Sequence, residues 1–210
     1  MSQRRRAGDR GQAFPIYVVV VAGLLFAALA YFAVGMAGAT RSNAQGAADA
    51  AALAAAGEAR DNVFLGLDLI NLKPGDWGKL ANGDLFSAKG ACRKAAEFAD
   101  RNDATVECEP AIPAFTVKVT TKRSVGDSVV PGTEKIHGEA RAKAVIEPRC
   151  SLSSAPAPVP TPTITPSPAP SPGVGGVTFV CNGKPFKLDP AKPGSLSQLA
   201  RALFSVRLVD

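Results

Sequence analysis

Few residues of this chain have the type and spacing that chemistry needs. The one histidine is His137, in Lys135-Ile136-His137-Gly138. A Ser-His-Asp arrangement requires a base held by a carboxylate beside a nucleophile, and no nucleophile-elbow sequence accompanies this histidine. Glu107 and Glu109 flank Cys108, so on a strand both carboxylates share the side opposite the thiol. Paired carboxylates serve acid–base work in glycoside hydrolysis, and two solvated strand residues produce the same pattern. Pro172-Gly173-Val174-Gly175-Gly176 is rich in glycine, but no Walker lysine–serine follows, so it reads as a hinge and not as a phosphate loop. These residues nominate no catalytic, cofactor or metal site. The expectation is a protein that is not an enzyme and needs no cofactor.

The elements that must carry these residues begin with an apolar rod. Between residues 12 and 40 no side chain is charged, and the run from Ile16 to Val34 is almost entirely apolar. About 20 such residues span the ~30 Å hydrocarbon of a bilayer as a helix. Tyr17 and Tyr31 stand near the two ends, where amphipathic rings favour the headgroup level. Pro15 falls at the start, where a missing N–H costs least. Arg4, Arg5, Arg6 and Arg10 precede the span, whereas only Arg41 follows closely, which places the N-terminus in the cytoplasm. The competing reading is a cleaved signal peptide ending at Ala37-Gly38-Ala39, although the apolar stretch exceeds the usual 7–15 residues of such a segment.

Lysine and arginine exceed aspartate and glutamate by 24 to 18, a net charge of +6. Part of that excess is the leader cluster, and no basic stripe with interleaved aromatics appears, so nucleic acid is not an expected partner.

Beyond Arg41 the sequence stays helical through Gln45-Gly46-Ala47-Ala48-Asp49-Ala50-Ala51-Ala52-Leu53-Ala54-Ala55-Ala56, because alanine has the highest helix propensity. Gly46, Ala50 and Ala54 repeat at a small-xxx-small interval, as do Gly23 and Ala27 in the span. Small residues let a second helix approach closely. The same alanines equally suit a helix that packs on its own domain.

The order Arg10-Gly11-Gln12-Ala13, one apolar helix, then Ala47-Ala48-Asp49-Ala50-Ala51-Ala52-Leu53 resembles the N-terminal region of the TadE/TadG-like (Flp, tight-adherence) pilus-assembly family over about residues 9–60. Asn102-Asp103-Ala104-Thr105-Val106 and Ala140-Arg141-Ala142-Lys143-Ala144-Val145 extend the similarity to about residue 150. The resemblance implies a membrane-anchored, non-enzymatic accessory component whose partners are the bilayer and other pilus or secretion proteins, met by helix packing. Pilin-related members can carry a peptidase site, a glycine with glutamate five residues on. Here Gly11 leads to Ile16 and Gly8 to Ala13, which favours an anchored TadG-like component over a major filament subunit. The alternative function is a secreted or wall-facing binding module.

After the rod the pattern predicts an α+β domain. A helix is expected over residues 85–102, with Phe86, Ala91, Cys92, Ala95, Ala96, Phe98 and Ala99 on one side. Alternation predicts strands over residues 104–109, 114–122 and 138–147. Lys73-Pro74-Gly75-Asp76-Trp77-Gly78 reads as turn-prone. Residues 155–172 are a proline-rich spacer of polyproline-II type, about 55 Å long if extended. Past it, residues 176–188 read as a hairpin around Asn182-Gly183, and Ser195 caps a short amphipathic helix over 196–204. The expected organisation is a leader (1–12), transmembrane helix (13–39), alanine-rich extension (40–60), extracytoplasmic domain (61–150), proline-rich linker (151–175) and C-terminal hairpin and helix (176–210).

Cys92, Cys108, Cys150 and Cys181 all fall outside the membrane on this topology, where an even number argues for two disulfides. Three pairings are possible. Cys92–Cys108, tying helix to strand, and Cys150–Cys181, bridging the ends of the linker, are preferred. No Cys-x-x-Cys spacing suggests zinc or thiol–disulfide exchange. Oligomeric state is left open.

Overall fold

The computed structural model describes residues 13–124, 135–153 and 176–209. The proline-rich stretch and the glycine-rich hinge up to Gly175 lie outside these.

One helix, α1 (Ala13–Asp61), includes both the apolar rod and the alanine-rich extension. Without interruption it is long and apolar enough to cross a membrane, with a mean hydropathy of 2.5 over its most apolar window and none of that window buried. Its second half lies on an antiparallel sheet of order β1-β2-β3-β7, built from β1 (Ala104–Ala111), β2 (Ala114–Ser124), β3 (His137–Pro148) and β7 (Phe204–Val209). Period-two alternation sets the sheet's inner face. Phe115, Val117 and Val119 of β2 and Ala142, Ala144 and Ile146 of β3 are buried under the helix. Thr116, Lys118, Arg141 and Lys143 take the outer face, where Glu107, Lys118 and Arg141 stand in register across three strands.

A shorter sheet holds β4 (Cys150–Leu152), β5 (Val177–Cys181) and β6 (Lys184–Leu188) in that order. Asn182 and Gly183 turn the β5–β6 hairpin with φ of 50° and 77°, the geometry their dipeptide signals. Both arms of the proline-rich stretch return to this one sheet: Cys150 is opposite Cys181, and the Ser153 N–H donates to the Thr178 carbonyl at 2.9 Å. Phe179 is fully buried, edge-on to Trp77 with ring centroids 6.1 Å apart. The C-terminal segment therefore shares one core with the domain. α4 (Leu196–Leu203), whose Ser195 hydroxyl accepts from the Gln198 N–H, runs straight into β7, which pairs with residues 143–148 of β3.

Three elements differ from the expectations. The helix expected over 85–102 is α3 (Ala91–Arg101), because Gly90 adopts φ +82° and breaks any earlier helical start. Of its expected apolar side, Ala91, Ala95 and Ala99 are buried, Cys92 and Phe98 are half-buried, and Ala96 is exposed. Phe86 instead tucks into the core against Phe204, with centroids 4.8 Å apart. The turn-prone stretch opens α2 (Pro74–Asn82), with Pro74 in its first turn and Gly83 closing it in the left-handed region at φ 85°. β7 had no counterpart among the expected strands.

The cysteines pair as Cys92–Cys108, joining α3 to β1, and Cys150–Cys181, joining β4 to β5.

Candidate functional site

α1 has two halves with different surroundings. Along the first, large apolar side chains face outwards: Phe14, Tyr17, Phe26 and Tyr31 are 75, 68, 74 and 84% exposed. Along the second, Ala44, Ala47, Ala48, Ala51, Ala52, Ala55, Ala56 and Ala59 are buried. Their spacing of three and four residues makes one continuous helical face. Methyl side chains there let the helix axis lie close to the strands, and the helix packs chiefly on β3, α3 and β2.

The changeover comes at Thr40. Its hydroxyl donates to the Met36 carbonyl at 3.1 Å, inside the helix. Across from it stands Gly138 at the start of β3, where an added Cβ would lie 2.7 Å from the Thr40 carbonyl oxygen and 3.2 Å from the Ala44 methyl. The Gly138 N–H donates to the Thr121 hydroxyl at 2.9 Å. His137 beside it holds Nδ1 at 2.7 Å from the Thr121 carbonyl. Sequence reasoning missed the role of Gly138; a lone glycine opening an alternating strand gave no sign of the helix passing over it.

The five small residues whose spacing suits packing against other helices fall on both halves of α1. Gly23 and Ala27 are exposed on the first half. On the second half Gly46 is exposed, and Ala50 and Ala54 are half-buried at the edge of the packed face. A Cβ added at Gly23 or Gly46 would meet nothing within 4 Å. Leu53, 37% exposed, points away from the core. Asp49 accepts from the Gln45 carboxamide at 2.8 Å, and the same carboxamide donates to the Arg141 carbonyl at 3.4 Å on β3. The one acidic residue of the alanine run thus steadies a link between helix and sheet edge.

Residues 11–58 match the Tad family model, described as "Putative Flp pilus-assembly TadE/G-like". α1 carries a TadE/G-like segment. The matched span ends three residues before the helix does, so it takes in both the exposed apolar half and the alanine face. No curated protein and no solved structure matches the chain.

Of the residues weighed for chemistry, His137 stands at the start of β3, outside the matched span, against the Thr121 carbonyl. Glu107 and Glu109 are exposed on β1, the former opposite Lys118. Among the described residues no group of three His, Cys, Asp or Glu is placed to hold a metal ion. Apart from Asp68, whose pKa is lowered by a hydrogen bond from the Asn71 carboxamide, the carboxylates with perturbed titration serve ion pairs. Burial raises the pKa of Asp61, but hydrogen bonds from Arg201 and Arg60 outweigh it and hold the group below the ordinary carboxylate range. Arg207 lowers that of Glu147 by direct hydrogen bonding, and Lys122 does the same to Asp100.

Proposed function

We propose that the chain is a membrane-anchored, non-enzymatic structural component of a Flp-type pilus or secretion assembly. The observation that supports it is the division of α1: a TadE/G-like match covers the helix, yet the chain's own fold uses only the second half. An exposed apolar surface of this length is one that lipid or other apolar helices cover. Four arginines ahead of the rod and one just behind it favour a cytoplasmic N-terminus and an extracytoplasmic domain. Two disulfides suit that compartment.

The mechanism is packing. Gly23 and Ala27 inside the bilayer, and Gly46, Ala50 and Ala54 beyond it, offer a backbone that a partner helix can approach closely. Gly46→Leu is the test, since its side chain would project into open space within the protein and leave the core untouched. It should reduce co-purification with other pilus-assembly proteins without lowering the melting temperature, since replacing a glycine inside a helix adds about 0.5–1 kcal/mol of helix propensity. Undiminished co-purification would remove this face from the mechanism.

A second reading draws on the same division. Removal of the rod behind Ala39 would leave the alanine face and its sheet whole, as in a secreted or wall-facing binding module with a cleaved signal peptide. Sequencing the N-terminus of the mature protein separates the two: a start near Thr40 supports the module, and an intact rod in the membrane fraction supports the anchor.

A further inference from the structure

We propose that the end of the domain nearest the rod binds the phosphate of an anionic phospholipid, an inference that rests on the membrane reading above. A polar cavity of about 400 Å³ opens there, lined among others by Thr40, Asn43, Arg101, Asp103, Thr121 and Arg123. Three elements bring these residues together: α1 as it leaves the sheet, the end of α3, and the end of β2.

The position of the cavity along α1 is what points to lipid. If about 20 residues fill a hydrocarbon layer of ~30 Å from Ile16, the layer ends near Gly35. Thr40 then lies about 7.5 Å farther out at 1.5 Å per residue, and the polar layer on each side of a bilayer is roughly 5–8 Å deep. The mouth of the cavity meets the headgroups.

The donors suit a phosphate. The Arg101 and Arg123 side chains are 62% and 83% exposed. Each has one carboxylate partner, Glu97 for Arg101 and Asp103 for Arg123, the latter at 2.6 Å. A guanidinium carries five N–H donors in a planar fork, so each keeps donors to give to phosphate oxygens. Arg41, one residue past Thr40, is exposed and has no carboxylate partner among the described residues. Asp103 is the one acidic residue in the lining, and it opposes an anion.

The test uses the full chain in lipid nanodiscs of phosphatidylcholine, with and without phosphatidylglycerol, reading thermal melting and, by native mass spectrometry, the lipid retained. Phosphatidylglycerol should raise the melting temperature and be retained in preference. Arg101→Gln and Arg123→Gln should each cut that preference about fivefold, the effect of one cation near an anionic surface, and high salt should shrink it. Asp103→Asn should strengthen the preference. Asp103 has φ 52°, a conformation that asparagine adopts readily, so this variant keeps the fold and moves the readout in the opposite direction. Equal retention of both lipids by the unmodified chain overturns the proposal, as does a phosphatidylglycerol preference that survives both arginine substitutions. Inorganic phosphate reproducing the stabilisation in phosphatidylcholine alone would assign the site to a free anion and overturn it too. A chain that fails to float with vesicles overturns the anchor itself; one that floats without lipid preference overturns only the headgroup site.

Discussion

Gly138 shows how one absent side chain sets the position of a helix. Its objection to a larger residue is room and not conformation, since its φ is not in the left-handed region. A Cβ there would press on the Thr40 carbonyl and the Ala44 methyl, and neither belongs to a flexible side-chain end that could move aside. Gly138→Val should therefore cost about 1–3 kcal/mol, the range for overpacking a filled site, read as a lower midpoint in chemical denaturation. A loss below about 0.5 kcal/mol would mean that α1 can shift away from β3 freely. Gln45 and Asp49 act at the same scale: their hydrogen bonds reach the Arg141 carbonyl at the stretch of β3 that β7 leaves unpaired. Asp49 stood out in the sequence as the one charge in the alanine run. Its bond to Gln45 could be suspected from the i,i+4 spacing, but the Arg141 carbonyl is 96 residues away along the chain.

Among the elements, legibility followed the strength of the local signal. β1, β2 and β3 alternate regularly enough to be read as strands. α3 was read too long because the residues ahead of Gly90 are apolar and helix-compatible, and only the left-handed backbone at that glycine stops them. Pro74-Gly75-Asp76 carries the composition of a turn and equally that of a helix start, and here the buried Trp77 and Leu80 settle the matter by giving α2 a face to pack. β7 was hidden because α4 passes into it between Leu203 and Phe204 with no glycine or proline to mark the change. The alanine run of α1 offered no inner face to read, since nearly every position has the same side chain. Where Leu53, Gly46 and Asp49 fall around the helix decides which alanines meet the sheet.

The ends of α1 and α4 are joined by Arg201 and Asp61, whose guanidinium and carboxylate lie 2.6 Å apart. With its folded pKa below the ordinary value, Asp61 contributes stability that is present above the unfolded carboxylate pKa of about 3.9. That contribution disappears as the pH falls through the folded value. Asp61→Asn should lower the melting temperature at pH 7 by the equivalent of under about 1 kcal/mol, because the pair is partly solvated. The gap from the unmodified protein should narrow as the pH falls below about 3.9 and close once it has passed the lower folded value. A gap that persists in acid would assign the role of Asp61 to packing and not to charge.

Over the whole molecule, the fold uses the chain unevenly. The domain buries four phenylalanines completely, Phe64, Phe115, Phe179 and Phe204, and they come from segments scattered between residues 64 and 204. The C-terminal segment contributes two of them, so it belongs to the core that the alanine face of α1 completes. The rod contributes nothing comparable: the window from which its hydropathy is taken is wholly unburied. This division was visible in the sequence as a change from large apolar residues to alanine near Arg41. A chain shortened to begin at Thr40 should accordingly fold without detergent and form both disulfides. It should melt within about 2–4 °C of the full chain, the shift that 1 kcal/mol produces in a domain of this size. Thr40 itself must stay, because it is the residue at which the helix meets Gly138 and it leaves one turn ahead of Ala44. Aggregation of the shortened chain, with free thiols in place of the two bonds, would mean that the rod and whatever covers it are needed for the domain to fold.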